Sequence, residues 1–131
     1  MFKNARFFLL SLKQKKINNY ILSANHQSVL NETLDFFDLR ACFHSVCGLN
    51  HYYATSKIKE GQTLLSSISS NKKFVLMVGD TLHDFEVANA LKIDCVLLSH
   101  GHNSTKRLKK TGAPVFSSLL NLAEYLNISI N

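Results

Sequence analysis

Residues 74–78, Phe-Val-Leu-Met-Val, are apolar at every position, and the run stops at Gly79-Asp80. An unbroken apolar run of this length suits a parallel strand covered on both faces, because a strand with one wet face alternates polar and apolar residues. Parallel strands need a crossover of about a dozen residues or more to reach a neighbour, usually through a helix. The flanking sequence supplies one. Thr81 can cap a helix carrying Leu82, Phe85, Ala88 and Leu91, and residues 93–98 then read as a second strand, interrupted only by Asp94.

The same alternation extends in both directions. Ala5, Phe8, Leu9 and Leu12 recur at helical spacing with one buried face. Tyr20-Ile21-Leu22 reads as a short buried strand closed by Ser23-Ala24-Asn25, with Asn25 placed to cap a helix whose stripe is Leu30, Leu34 and Phe37. Residues 43–47 suggest a short strand, followed by a loop from Gly48 through Tyr53. Lys57 then opens a helix that buries Leu64, Leu65 and Ile68. A basic helix over 104–110, a strand at Val115-Phe116 and a helix on Leu119, Leu122, Ala123 and Leu126 complete the chain. No linker divides it, so residues 1–131 are expected to form one α/β domain, or part of one, with a doubly wound sheet.

Composition excludes several alternatives. With 131 residues, 46% of them hydrophobic, and a single proline, the chain can bury a core and is neither disordered nor fibrous. No apolar stretch approaches the roughly 18 residues of a membrane span. Phe7-Phe8-Leu9-Leu10 meets Lys13, Lys15 and Lys16 in the wrong order for a secretory signal, so a cytoplasmic location is expected. Cys42, Cys47 and Cys95 lack metal-ligand spacing and are read as reduced thiols, with Cys95 in an apolar run. The net charge of +6, with basic clusters at 13–16 and 106–110, suits anionic partners such as phosphorylated metabolites. Lysines near helix ends also answer the macrodipole, and nucleic acid is the disfavoured partner. His26, His44, His51, His83, His100 and His102 suggest no partners; the pair at 100 and 102 is assigned surface or packing roles rather than a metal.

In open parallel sheets, ligands bind beyond the carboxyl ends of the strands, and three polar features fall at or near such ends. Ser23, Ala24 and Asn25 offer a hydroxyl and backbone N–H groups that suit a phosphate oxygen, or else a plain helix cap. Gly79 permits a sharp turn that brings Asp80 and Asp84 to one strand–helix junction. Two carboxylates there suit Mg²⁺, while Thr81 with Asp84 equally suits a capping box. Lys57 at a helix start opposes the dipole unless an anion or carboxylate compensates it; the competing description is an ordinary surface lysine.

Taken in order, the stretches Tyr20-Ile21-Leu22-Ser23-Ala24, Gly48-Leu49-Asn50-His51-Tyr52-Tyr53-Ala54-Thr55-Ser56-Lys57 and Gly79-Asp80-Thr81-Leu82-His83-Asp84-Phe85-Glu86-Val87-Ala88 resemble the haloacid dehalogenase superfamily. Within it they are most similar to the phosphoglycolate-phosphatase-like branch, as is Cys95 to Leu98 leading into Gly101-His102. The resemblance implies a three-layer Rossmann-like doubly wound sheet and Mg²⁺-dependent hydrolysis of a phosphate monoester. It gives Ser23 a hydrogen bond to the transferring phosphoryl group, with Ala24 and Asn25 beside it. Lys57 would neutralise nucleophile and phosphate, Asp80 would ligate the metal, and Asp84 would support the metal shell.

One part of that pattern is missing. Family members begin with a strand ending in Asp-x-Asp, whose first aspartate attacks phosphorus and whose second is general acid and base. The aspartates here are Asp35, Asp38, Asp80, Asp84 and Asp94, and no pair lies two apart. The expectation is a core incomplete at its N-terminus and inactive alone. It would need the missing N-terminal segment or a homo-oligomer partner beside its exposed strand edges. The alternative is a non-catalytic phosphate-binding or interaction module, such as one half of a split enzyme; a basic nucleic-acid binder is the remaining class.

Overall fold

A computed structural model describes residues 3–49, 57–68 and 71–128. Within them the chain alternates strands and helices: α1 (Ala5–Gln14), β1 (Tyr20–His26), α2 (Gln27–Phe36), β2 (Ser45–Leu49), α3 (Lys57–Ser67), β3 (Leu76–Gly79), α4 (Leu82–Leu91), β4 (Asp94–Leu98), α5 (His102–Lys109), β5 (Val115–Phe116) and α6 (Leu119–Tyr125). Every strand pairing is parallel, as the continuous apolar runs require. The fold is α/β with parallel sheets. No helix among the described residues is long and apolar enough to cross a membrane.

The strands form two sheets. β1 pairs with β2, and β3, β4 and β5 form the other in that order. Between them lies a cleft of about 770 Å³, walled by Tyr20, Ile21 and Leu22 of β1, Leu76, Met77 and Val78 of β3, and helices α1 and α3. This corrects the expectation that residues 74–78 form a strand covered on both faces. Phe74 ends a 3₁₀ turn and is 75% exposed, while Leu76 and Val78 are 38% and 43% exposed. The apolar run is there, but among the described residues β3 pairs with β4 alone, and its other side borders the cleft.

Two hydrophobic clusters hold the halves. Phe8 and Leu12 of α1 pack with Val96 and Leu98 of β4 and with Leu119, Leu122 and Ala123 of α6. Leu9, one helical position on, joins Leu34, Leu39, Cys42, Ile21 and Val46 in the other. Helix α1 therefore touches both clusters. Helix α3 does similar work at Gly61, where an added Cβ would lie 2.7 Å from a Leu91 methyl and 3.2 Å from one of Leu22.

Several local expectations shift. β1 runs on to His26, so Asn25 is not the cap of α2; the His26 Nδ1 accepts from the Ser28 N–H at 3.2 Å. Phe37 is the residue after α2 and is 39% exposed, leaving Leu30 and Leu34 as the buried stripe. Gly48 lies inside β2 rather than in a loop, with its N–H donating to Gln27 Oε1 at 2.7 Å. Asn50 through Ser56 lie outside the described residues. Thr81 caps α4 as expected.

Candidate active site

At the carboxyl end of β3 the chain turns directly into α4, and Gly79 makes the turn possible. A Cβ on Gly79 would fall 2.3 Å from Asp84 Cβ and 2.7 Å from its Cγ, so only glycine lets this carboxylate fold back over the strand end. Asp84 Oδ2 there accepts from the N–H groups of Asp80 at 3.0 Å and Thr81 at 3.2 Å, and from the Thr81 hydroxyl at 3.0 Å. In return, the Asp84 N–H donates to Thr81 Oγ1 at 3.2 Å. This is a complete capping box, and it satisfies amides that a helix start leaves orphaned.

The other oxygen, Asp84 Oδ1, receives Lys57 Nζ at 2.5 Å, with side chains only 13% and 10% exposed. Lysine at the first turn of α3 thus finds the compensating carboxylate that its unfavourable place in the helix dipole demanded. Burial pushes the Asp84 carboxyl up, but the hydrogen bond from Lys57, the Asp80 N–H, the Lys57 charge and the Thr81 side chain outweigh it. Its pKa settles below the ordinary carboxylate value. Burial, reinforced by the Asp84 charge, pushes the neighbouring Cys95 thiol up to about 11, so this cysteine stays protonated and unreactive.

Asp80 is placed differently. Its side chain is 45% exposed, and Oδ2 meets His100 Nε2 at 2.8 Å. Its Oδ1 has no hydrogen bond among the described residues. One half-exposed carboxylate fits a hydrated Mg²⁺, which commonly takes one or two carboxylates, waters and phosphate oxygens. Asp84, engaged at both oxygens, fits the part of a support rather than a second direct ligand. No cluster of three or more potential metal-binding side chains occurs among the described residues.

The structure thus joins Lys57, Asp84, Thr81 and Asp80 through direct hydrogen bonds. Among the described residues no hydrogen bond joins Ser23 or Asn25 to them. Those residues occupy the stretch where the β1–β2 register shifts between Leu22 and His26, and Ser23 Oγ accepts from the Asn25 N–H at 3.1 Å. The sequence reading missed His100 as a partner of Asp80. The available signal was its place just past the end of β4, the strand beside β3.

A family model for haloacid dehalogenase-like hydrolases matches residues 1–98. No curated protein sequence matches the chain. Among solved structures, similarity extends to a protein assigned as a phosphatase from Clostridium difficile, with a TM-score of 0.87, 19% identity, and 96% of this chain aligned to 60% of that one. A HAD-superfamily hydrolase from Ehrlichia chaffeensis aligns at a TM-score of 0.70 and 19% identity over 95% of this chain and 56% of its own. A protein assigned as a phosphoglycolate phosphatase from Lactobacillus delbrueckii aligns at 0.77 and 18%, over 95% of this chain and 52% of that one. The chain therefore spans between about half and three-fifths of the length of these structures. At such identities the likeness concerns the fold.

Proposed function

Because the chain belongs to the haloacid dehalogenase-like hydrolase family, we propose that it supplies the phosphate- and metal-holding half of a phosphatase acting on small phosphorylated metabolites. The observation that carries this reading is the buried Lys57–Asp84 pair, tied to the Asp80-Thr81 backbone at a strand end. A fixed positive charge is thereby held at the strand end from which the half-exposed Asp80 carboxylate also departs, which suits charge stabilisation of a transferring phosphoryl group.

In this reading Lys57 Nζ donates to a phosphate oxygen and offsets the charge of the attacking carboxylate. Asp84 holds the ammonium group in place. Asp80 holds Mg²⁺, which when bound would neutralise charge on the phosphate oxygens. Ser23 Oγ, with the N–H groups of Ala24 and Asn25, would hold a further phosphate oxygen once the stretch at the end of β1 turns toward the site. The three cysteines are free thiols, which suits a reducing compartment such as the cytoplasm.

The attacking aspartate is the component that this sequence does not contain. We propose that residues 1–131 are a partial core and that an extended apolar segment carrying the Asp-x-Asp pair occupies the cleft between β1 and β3. Among the described residues both strands turn an unpaired edge to the cleft, which backbone groups of a strand can satisfy. The Asn19 Nδ2 on the cleft wall is buried without an acceptor among the described residues. A buried donor in that state costs about 1–3 kcal/mol, and a strand carbonyl would relieve it. The same cleft suits one half of a split enzyme.

The test is complementation. The 131-residue chain with Mg²⁺ should leave p-nitrophenyl phosphate unhydrolysed, and addition of a polypeptide bearing the nucleophile strand and cap should restore turnover. Asp80→Ala should abolish that gain. Turnover by the unaided chain, or an alanine variant that performs equally well, would overturn the assignment.

A further inference from the structure

His100 stands on the loop leaving β4, and its ring reaches the loop leaving β3, where Nε2 lies 2.8 Å from Asp80 Oδ2. The loop that carries it is pinned. The His100 N–H donates to Ser104 Oγ at 3.3 Å, the Ser99 N–H to the Phe116 carbonyl at 2.9 Å, and the Thr105 hydroxyl to Ser99 Oγ at 2.6 Å. Both side chains still meet water, at 58% and 45% exposure. A nitrogen and a carboxylate oxygen are therefore presented to one point from two adjacent strands.

We propose that Asp80 and His100 together chelate a borderline divalent ion such as Co²⁺ or Ni²⁺, so that this site prefers such ions to Mg²⁺. The inference rests on the reading above only in taking Asp80 as a metal ligand. Neighbouring ligands of an octahedral ion with bonds of about 2.1 Å lie about 3.0 Å apart. The observed 2.8 Å is close to that separation. Small rotations of the two side chains would open room for the ion, with the ring hydrogen on Nδ1 and the Nε2 lone pair turned to the metal. Imidazole favours cobalt, nickel and zinc, whereas Mg²⁺ keeps to oxygen ligands and its own waters. Among the described residues no third His, Cys, Asp or Glu completes the set.

The experiment titrates Co²⁺ and Mg²⁺ separately into the 131-residue chain by calorimetry, for the wild type, His100→Gln and Asp80→Asn, each checked for folding by circular dichroism. Wild type should bind Co²⁺ at least about tenfold more tightly than Mg²⁺. His100→Gln should lose about tenfold in Co²⁺ affinity, the scale on which even outer partners of metal ligands act, and keep its Mg²⁺ affinity. In nitrogen-resolved NMR of the wild type, substoichiometric Co²⁺ should broaden the His100 ring before that of His83. Unchanged Co²⁺ binding by His100→Gln, or another histidine broadening first, overturns the inference. If Asp80→Asn weakens Mg²⁺ binding while His100→Gln alters nothing, the Asp80 assignment stands and only the chelate falls. If neither variant changes the binding of either ion, both fall.

Discussion

Asp84 shows how much one side chain can organise. It accepts from a buried ammonium, two backbone amides and a hydroxyl, and it does so only because Gly79 has no Cβ to obstruct it. Replacing it with alanine removes the capping box and leaves Lys57 desolvated and unpaired. Breaking one partner of a buried pair typically costs about 3–5 kcal/mol, and Asp84→Ala should lower the unfolding free energy by that order in a urea titration. A loss under about 1 kcal/mol would mean that water already screens the pair. The acid limb follows the same residue. Its folded pKa is depressed, so its stabilisation is complete above the unfolded carboxyl value of about 3.9 and disappears as pH falls through the lower folded one. The wild type should therefore lose stability more steeply below about pH 4 than Asp84→Asn does.

At the scale of elements, strands and helices could be read from the sequence because their apolar spacing is local, whereas sheet order was not, because it depends on which edges meet. Residues 93–98 are a strand within one residue of the expected bounds, and Thr81, Gly79 and Asp84 do at α4 what their spacing suggests. The apolar run at 74–78 misled about coverage, since continuous hydrophobicity records what a strand can be buried against and not what lies there. His100 and Asp80 are 20 residues apart, and only the β3–β4 pairing brings them together. Amide exchange offers a direct check on the edge. Alternate N–H groups of β3 point away from β4, toward the cleft, and should exchange orders of magnitude faster than those of Val96, Leu97 and Leu98 in the doubly paired β4. Uniform protection across residues 76–78 would show that the two sheets close on each other in solution.

For the molecule as a whole, the division into two sheets decides what the rest can do. Helix α1 packs into both hydrophobic clusters, and Gly61 lets α3 sit tightly against Leu22 and Leu91. The halves are therefore held at their outer faces while the cleft between β1 and β3 stays open. Its walls are mostly apolar side chains and strand edges, with Asn19 and the Lys57–Asp84 pair among them. An extended peptide suits the edges better than a compact metabolite, because only a backbone pairs with a backbone. A strand-length peptide of about five apolar residues followed by an acidic pair should then stabilise the chain by mass action. At a concentration of about 100 times Kd the gain is about 2.7 kcal/mol, which for a domain of this size raises Tm by on the order of 10 °C. The control is the same peptide methylated at alternate backbone nitrogens, which keeps the side chains and removes half the donors. If the methylated peptide raises Tm equally, the cleft takes up apolar groups without forming a strand. Stabilisation by the unmodified peptide alone would make backbone pairing the interaction by which this cleft takes up a strand, as the proposed complementation requires.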